Sequence, residues 1–324
     1  MVSLIQHPGE GNYDVPVLLI CFNRPQYAKL QLASLRRIQP RNVYLAIDGP
    51  RNGAADREAV AQVKSAYLNG IDWDCTLKTR LSDINQGCSL GPINAMRWFF
   101  SEAREGVILE DDIIPNTDFY MFCKAMLDHY RDDARVMSIS GCNLGYEGPA
   151  DSLIFSKIMN MWGWATWADR LREVDFSITS WAGIKHKTPY LLWKLRRHIL
   201  DLDLNWARYW RDILDGTVKS DRVTWWDYQF IYHQISNGLL SVFPGANLVR
   251  NIGLGEAATH TRQPDHFAAR LETGELQWPV RICEKPKADR IFYEEYVKKR
   301  WAAYRRPNWK YYLGKFAQRY LHFQ

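Results

Sequence analysis

Between residues 15 and 140 the chain alternates buried-strand patterns with helix patterns, and this alternation restricts the fold more than any other feature. Residues 16–22 form a continuous apolar run. Asn23-Arg24-Pro25 follows as a turn, with Pro opening a helix that carries Tyr27, Leu30, Leu35 and Ile38 on one face. Residues 43–47 are a second run, closed by Asp48-Gly49-Pro50, and a helix with Val60, Val63 and Tyr67 comes next. Residues 75–81 read as a third strand with weak alternation. Gly91-Pro92 opens a helix with Ile93, Met96 and Phe100, and residues 106–109 are the next strand. A helix with Phe119, Phe122, Met126 and Tyr130 and a strand at 136–140 complete the series. Apolar runs joined by helices and short loops predict an α/β fold: a mostly parallel central sheet with helices on both faces. In such sheets ligands bind outside the carboxyl ends of the strands.

Those ends carry the chemistry. Glu110-Asp111-Asp112 terminates the run Val107-Ile108-Leu109. Three adjacent carboxylates repel one another, and delivering them on a buried strand is costly unless a cation neutralises them. Hard oxygen ligands suit Mg²⁺ or Mn²⁺; a solvated acidic turn is the plainer reading. If the strand continues, Glu110 and Asp112 point one way and Asp111 the other. One face then reaches a metal and the other a nucleotide ribose. Asp112, furthest past the strand end, is the expected metal ligand. Asp48 can accept hydrogen bonds from a base or ribose, or simply form the turn before Gly49. Arg24 faces a nucleobase or phosphate, or is a surface residue before its helix. The chain contains neither G-x-G-x-x-G nor G-x-x-x-x-G-K-[ST], which argues against a dinucleotide fingerprint and a P-loop.

The second half is rich in tryptophan; the chain holds 14, for which a carbohydrate site is one outlet, since sugar rings stack on indole faces, while core burial is the default for any single Trp. Trp162-Gly163-Trp164-Ala165-Thr166-Trp167 precedes a charged helix, and further helices are expected near 189–202 and 204–214. Trp225-Trp226-Asp227-Tyr228 leads into a helix over 228–236, with a strand at 239–243. Asp227 is either a general base whose pKa is raised among aromatics or the N-cap of that helix. His260 lies in a polar segment and is either a surface residue or a neutral imidazole ligand beside a carboxylate-held ion. No Ser-, Gly- or Pro-rich linker divides the halves. One continuous domain is expected over 1–285, with a nucleotide half at about 15–145 and an acceptor half at about 146–285, followed by a basic-aromatic extension over 286–324.

The formal charge is +6, and much of it sits in that extension, where Lys298, Lys299, Arg300, Arg305 and Arg306 alternate with Trp301, Tyr304 and Trp309. Such a tail suits an anionic membrane surface or a packed helical layer with its charges in water; nucleic acid is not an expected partner. Six scattered cysteines without C-x-x-C spacing read as reduced thiols. No apolar run reaches the roughly 20 residues of a membrane span, and residues 1–14 lack a basic-then-apolar leader pattern. The expected location is the cytoplasm, with the tail as a peripheral contact at the inner face of the membrane.

Taken in order, these segments resemble the GT-A-fold, metal-dependent nucleotide-sugar glycosyltransferases, in particular the inverting family that includes the first N-acetylglucosaminyltransferase of the N-glycan pathway. The resemblance runs in islands from about residue 15 to 266. Leu18-Leu19-Ile20-Cys21-Phe22-Asn23-Arg24-Pro25 looks like the family's first strand and turn, with Arg24 on its nucleotide-contacting Arg. Asp48 falls on its ribose- or base-contacting Asp, and Ser89-Leu90-Gly91 looks like its Ala-Leu-Gly helix start. Asn85 stands where the family has a uracil-contacting His. The run from Val107 to Asp112 is similar to its acidic metal motif, whose last Asp is the direct ligand, leaving Glu110 and Asp111 toward the nucleotide sugar. Gly163-Trp164 resembles a Gly-Trp beneath the donor sugar, and Trp226-Asp227 a pair whose Asp is the catalytic base. Ile252-Gly253 through Thr259-His260 looks like the loop that closes over the diphosphate, Thr259 standing for the family's Ser and His260 for a second metal ligand.

The resemblance implies a GT-A fold whose Rossmann-like nucleotide half is continuous with the acceptor half. It implies Mn²⁺ or Mg²⁺, a nucleotide-diphosphate sugar donor, most simply a UDP sugar, and a glycan or lipid-linked acceptor. A nucleotidyltransferase acting on sugar phosphates and a non-catalytic carbohydrate-binding protein on the same fold remain the alternatives.

Overall fold

The computed structural model describes residues 2–9, 13–196, 204–219, 225–253, 271–283 and 285–297. After β1 (Val2–Ile5), the first half alternates as its sequence predicts: β2 (Val17–Cys21), α1 (Pro25–Ile38), β3 (Asn42–Ile47), α2 (Ala54–Gly70), β4 (Thr76–Leu81), α3 (Gly87–Glu102) and β5 (Glu105–Glu110). A short β6 (Ile113–Pro115), α4 (Thr117–His129) and β7 (Val136–Ser140) follow. The second half holds β8 (Leu153–Ser156), β9 (Trp164–Trp167), α5 (Ala168–Arg172), α6 (Thr179–Ala182), α7 (Lys187–Arg196), α8 (Leu204–Lys219) and α9 (Asp227–Asn237). It closes with β10 (Leu240–Pro244), β11 (Val249–Asn251), β12 (Val280–Cys283) and α10 (Arg290–Phe292).

Among the described residues, eight strands form one sheet in the order β4-β3-β2-β5-β9-β7-β10-β8. β4, β3, β2 and β5 are mutually parallel, and β10 is parallel to β7. β9 runs antiparallel to both β5 and β7, and β8 antiparallel to β10. The sheet is therefore mixed, with a parallel half where the alternating pattern predicts one. The Trp-rich segment supplies the inserted strand: Trp164, Ala165, Thr166 and Trp167 are all buried, and the Thr166 hydroxyl donates to the Met137 carbonyl at 2.6 Å. Two small pairs, β1 with β12 and β6 with β11, lie outside this sheet and carry no clear period-2 signal in the sequence.

Helix faces decide the packing. α2 buries Val60, Val63 and Tyr67 as its spacing requires. α1 differs from expectation: it buries Ala28, Gln31, Leu32, Ser34, Leu35 and Ile38, and Leu30 is exposed. The apolar stripe passes through two polar residues because both have buried partners. Ser34 Oγ donates to Pro115 O at 2.7 Å, and Gln31 bonds the turn after β5. α3 begins at Gly87, four residues before the predicted start, with Pro92 inside it. Its first amides are already satisfied by Asp48, which extends the helix backward. α8 buries Ala207, Trp210, Leu214 and Thr217 at helical spacing. Phe292 is buried against Phe243 and Tyr146, so residues 285–297 reach the body of the protein. Residues 298–324, with the basic-aromatic tail, lie outside the described residues. Cys21, Cys75, Cys88, Cys123 and Cys142 are free thiols.

Candidate active site

The carboxyl ends of β2, β3, β4 and β5 and the start of α9 open on one cavity of about 610 Å³. Arg24, Asp48, Asn85, Glu110, Asp111, Asp112 and Asp227 all line it, although they are scattered over two hundred residues of sequence. Thr259 and His260 lie outside the described residues. Trp164 does not line the cavity: it is buried behind Trp226, against which it stacks with centroids 5.7 Å apart and planes at 23°. Trp162, two residues earlier, lines the cavity instead. Gly163 between them has φ +61°, and a Cβ there would lie 2.9 Å from Val249 Cγ1, so glycine allows the backbone to turn into β9.

The acidic triplet does not continue the strand. β5 ends at Glu110, and Asp111 and Asp112 occupy a turn. Simple alternation therefore fails: one Arg24 nitrogen, Nη1, donates to Asp111 Oδ1 at 2.8 Å and to Asp112 Oδ2 at 3.0 Å. Phe22 N–H also donates to Asp111 Oδ2 at 3.3 Å. Glu110 turns toward α9, where Trp226 Nε1 donates to its Oε1 at 3.3 Å. Gln31, fully buried in α1, fixes the turn from behind. Its Nε2 donates to Glu110 O at 2.8 Å and Ile113 O at 3.2 Å, and its Oε1 accepts from the Tyr67 hydroxyl at 2.7 Å. On the open side Ile252 N–H donates to Asp112 O at 2.9 Å. A Cβ at Gly253 would fall 2.0 Å from Asp112 Oδ2.

Burial shapes the electrostatics. Glu110 is pushed up to about 8 by desolvation and then by the charges of Asp112, Asp111 and Asp227. Asp111 is pushed up to about 6, by burial and by Asp112, against the pull of Arg24. Burial also raises Asp112. Asp111 and Asp112 thus share one guanidinium, with the Glu110 carboxyl close by and bonded to Trp226 instead, and opposite charge brought near them favours their ionised forms. Among the described residues no three His, Cys, Asp or Glu side chains are set to hold a metal ion by themselves. Asp112, with its carbonyl and Cβ against 252–253 and its carboxylate at the cavity, is the residue best placed to supply a ligand, and Asp111 is beside it.

Asp48 is already engaged. Its Oδ1 accepts from Gly49 N–H at 2.9 Å and Gln86 N–H at 2.8 Å; its Oδ2 accepts from Asn85 Nδ2 at 3.0 Å and Gly87 N–H at 3.0 Å. Asn85 Nδ2 donates to Gly49 O as well, at 2.8 Å. Asp48 therefore braces the loop into α3, and burial raises its pKa in spite of these amides. Asp227 is the first residue of α9, not its cap. Trp226 is the N-cap, with no side-chain capping bond, so the capping explanation for Asp227 does not hold. Its carboxylate lies in the first turn, where the helix dipole favours negative charge, and close enough to Glu110 to raise that residue's pKa. Ile252-Gly253, expected as the start of a loop over the diphosphate, reaches Asp112, whereas Gln31, Trp162, Trp225 and Asn251 are not site residues in the sequence pattern. Only Gln31 left a signal there, as a polar residue within a buried helical stripe.

No protein-family model and no curated protein matches the chain. Partial likenesses to solved structures exist. HddC from Yersinia pseudotuberculosis, complexed with GMP-PN, is 8% identical over 49% of this chain and 79% of its own, with TM-score 0.32. GalNAc-T7 with UDP, GalNAc and Mn²⁺ is 10% identical over 72% of this chain and 43% of its own, with TM-score 0.41. The bifunctional glycosyltransferase WbbM, in its apo form, is 10% identical over 70% and 38% respectively, with TM-score 0.29.

Proposed function

We propose that this chain is a GT-A-type, metal-dependent glycosyltransferase that moves a sugar from a nucleotide-diphosphate sugar, most simply a UDP sugar, to an acceptor hydroxyl with inversion. One observation carries the reading: a cation-seeking carboxylate turn and a separate carboxylate, Asp227, face one cavity and are tied together by the Trp226–Glu110 hydrogen bond. A diphosphate needs the first and an attacking hydroxyl the second.

The residues divide the work as follows. Arg24, on the cavity wall beside the acidic turn, is placed to meet a phosphate or the nucleobase. Asp112, with Asp111 beside it, would hold the divalent ion, which when bound neutralises charge on the departing diphosphate. Asp48 keeps the Asn85–Gly87 loop in place along the wall that receives the nucleotide. Asp227 accepts the proton of the acceptor hydroxyl as its oxygen bonds to the anomeric carbon. The bond from that carbon to the diphosphate oxygen breaks on the opposite side, and the nucleoside diphosphate leaves with the electron pair. A single displacement inverts the centre and needs no enzyme-bound sugar.

Asp227→Asn tests this directly. It preserves size and position in α9 while removing the base. Turnover, measured as transfer or as slow donor hydrolysis, should fall by about 10²–10⁴-fold, with UDP affinity and melting temperature unchanged. A variant of undiminished turnover would remove Asp227 from the chemistry.

A further inference from the structure

Resting on that reading, the wall of the cavity on the α8–α9 side identifies the acceptor more closely. Strand order puts β3 and β4 on one side of β5, while α9 touches the end of β5 through Trp226 and Glu110. The two adjacent tryptophans before Asp227 behave differently. Trp226 is buried, stacked on Trp164 and bonded to Glu110. Trp225 is half-buried and lines the cavity beside Asp227. Its indole is locked: Nε1 donates to Thr217 Oγ1 at 2.9 Å, and that hydroxyl donates to Ile213 O at 3.0 Å. The Tyr228 and Trp225 rings pack as a T-shaped pair, with centroids 5.9 Å apart and planes at 79°. Trp225 therefore has no polar atom left to offer the cavity, only a rigid π surface.

We infer that Trp225 is a stacking platform for a pyranose ring of the acceptor, which makes the acceptor a glycan whose terminal sugar presents its hydroxyl to Asp227. A flat apolar surface with a carboxylate and a tyrosine at its margin matches a ring that is apolar on one face and hydroxylated at its edge. An alkyl chain would call for apolar walls on every side, and Asp227 at this margin denies them.

The test uses the whole protein and methyl glycosides of glucose, galactose, mannose and N-acetylglucosamine as probes, read by saturation-transfer difference NMR in the presence of UDP. At least one glycoside should receive saturation through the C–H groups of one ring face. Trp225→Phe should retain it. Trp225→Leu, which keeps apolar bulk without a π surface, should weaken binding about tenfold, the scale of one aromatic contact, at an unchanged melting temperature. If Leu binds as well as Trp, or if n-octanol binds at this wall and no glycoside does, the platform is refuted. Titration of wild type with UDP reports separately on the donor site: failure there with Trp225-dependent glycoside binding intact would overturn the transferase reading and leave the platform standing.

Discussion

Gln31→Leu should damage the site without touching any residue that faces it. Gln31 is fully buried and makes three hydrogen bonds, to Glu110 O, to Ile113 O and from Tyr67. Leu matches its volume and satisfies none of them. Each buried group left unpaired costs about 1–3 kcal/mol, but the losses are not additive. Tyr67 retains its contact with Cys21, and burying the Leu side chain recovers about 1 kcal/mol. The net cost should be about 3 kcal/mol, which for a chain of this size lowers the melting temperature by roughly 5–10 °C. The same carbonyls bracket Asp111 and Asp112, so the Mn²⁺-dependent rise in melting temperature with UDP should shrink as well. Tyr67→Phe is the control: it removes the hydroxyl's contacts with Gln31 and Cys21, costs about 1–2 kcal/mol, and leaves both carbonyl contacts and the ligand response in place. Differential scanning fluorimetry with and without UDP and Mn²⁺ reads all three proteins. A Gln31→Leu protein with wild-type melting temperature and ligand response would refute the idea that α1 sets the acidic turn.

Other perturbations act at separate points. Gly253→Ala places a Cβ against the Asp112 carboxylate; it should cost about 1–3 kcal/mol from overpacking and weaken Mn²⁺-dependent UDP binding in calorimetry, and unaltered binding would show that the segment yields freely. Asp48→Ala strips the Gln86 and Gly87 amides of their acceptor; it should cost about 1–3 kcal/mol and speed proteolysis within residues 82–88, where wild-type resistance would refute the brace. The pH dependence follows from Glu110, whose folded-state pKa of about 8 lies above its ordinary 4.5. The folded protein holds that proton more tightly, so its stabilising contribution is complete below the ordinary value and is lost as pH rises through 8. His129 and His233, lowered by burial, act in the opposite sense only below about 6.5. Between pH 6.5 and 8.5 the melting temperature in chelator should therefore fall, and Mn²⁺ should flatten the slope; a rise in chelator would contradict the buried, protonated Glu110.

The first half was legible because β2, β3, β5 and β7 are buried on both faces and its helices are long enough to show a stripe, while β4, mostly exposed, shows only weak alternation. Where the reading slipped, a tertiary partner outweighed the local pattern. The start of α3 moved back to Gly87 because a carboxylate 39 residues away caps its amides. The sequence pattern runs the α1 stripe through Leu30, whereas the buried face passes through Gln31 and Ser34, whose partners lie in the turn after β5 and in β6. β9 is hard to recognise because both its faces are buried and its four residues carry no alternation, and the antiparallel insertion between β5 and β7 has no local signature at all.

The site was legible in its residue types and less so in their directions. Three carboxylates after an apolar run break the local rule that charge avoids buried strands, and such violations mark function. Their orientation could not be read from a period of two, because the strand stops at Glu110 and a turn brings Asp111 and Asp112 onto the same nitrogen of Arg24. Asp227 looks equally like a cap in the sequence, whereas the helix starts on it and Trp226 holds the cap position. Of the pair separated by one glycine, Trp164 turns into the core and Trp162 lines the cavity; of the adjacent pair, Trp226 is buried yet borders the cavity that Trp225 also lines. The buried members stack on each other and reach Glu110, so the core of the second half grips the carboxylate turn of the first. In the proposed transfer this contact would hold the donor and acceptor walls in one register, as a displacement at a single carbon requires.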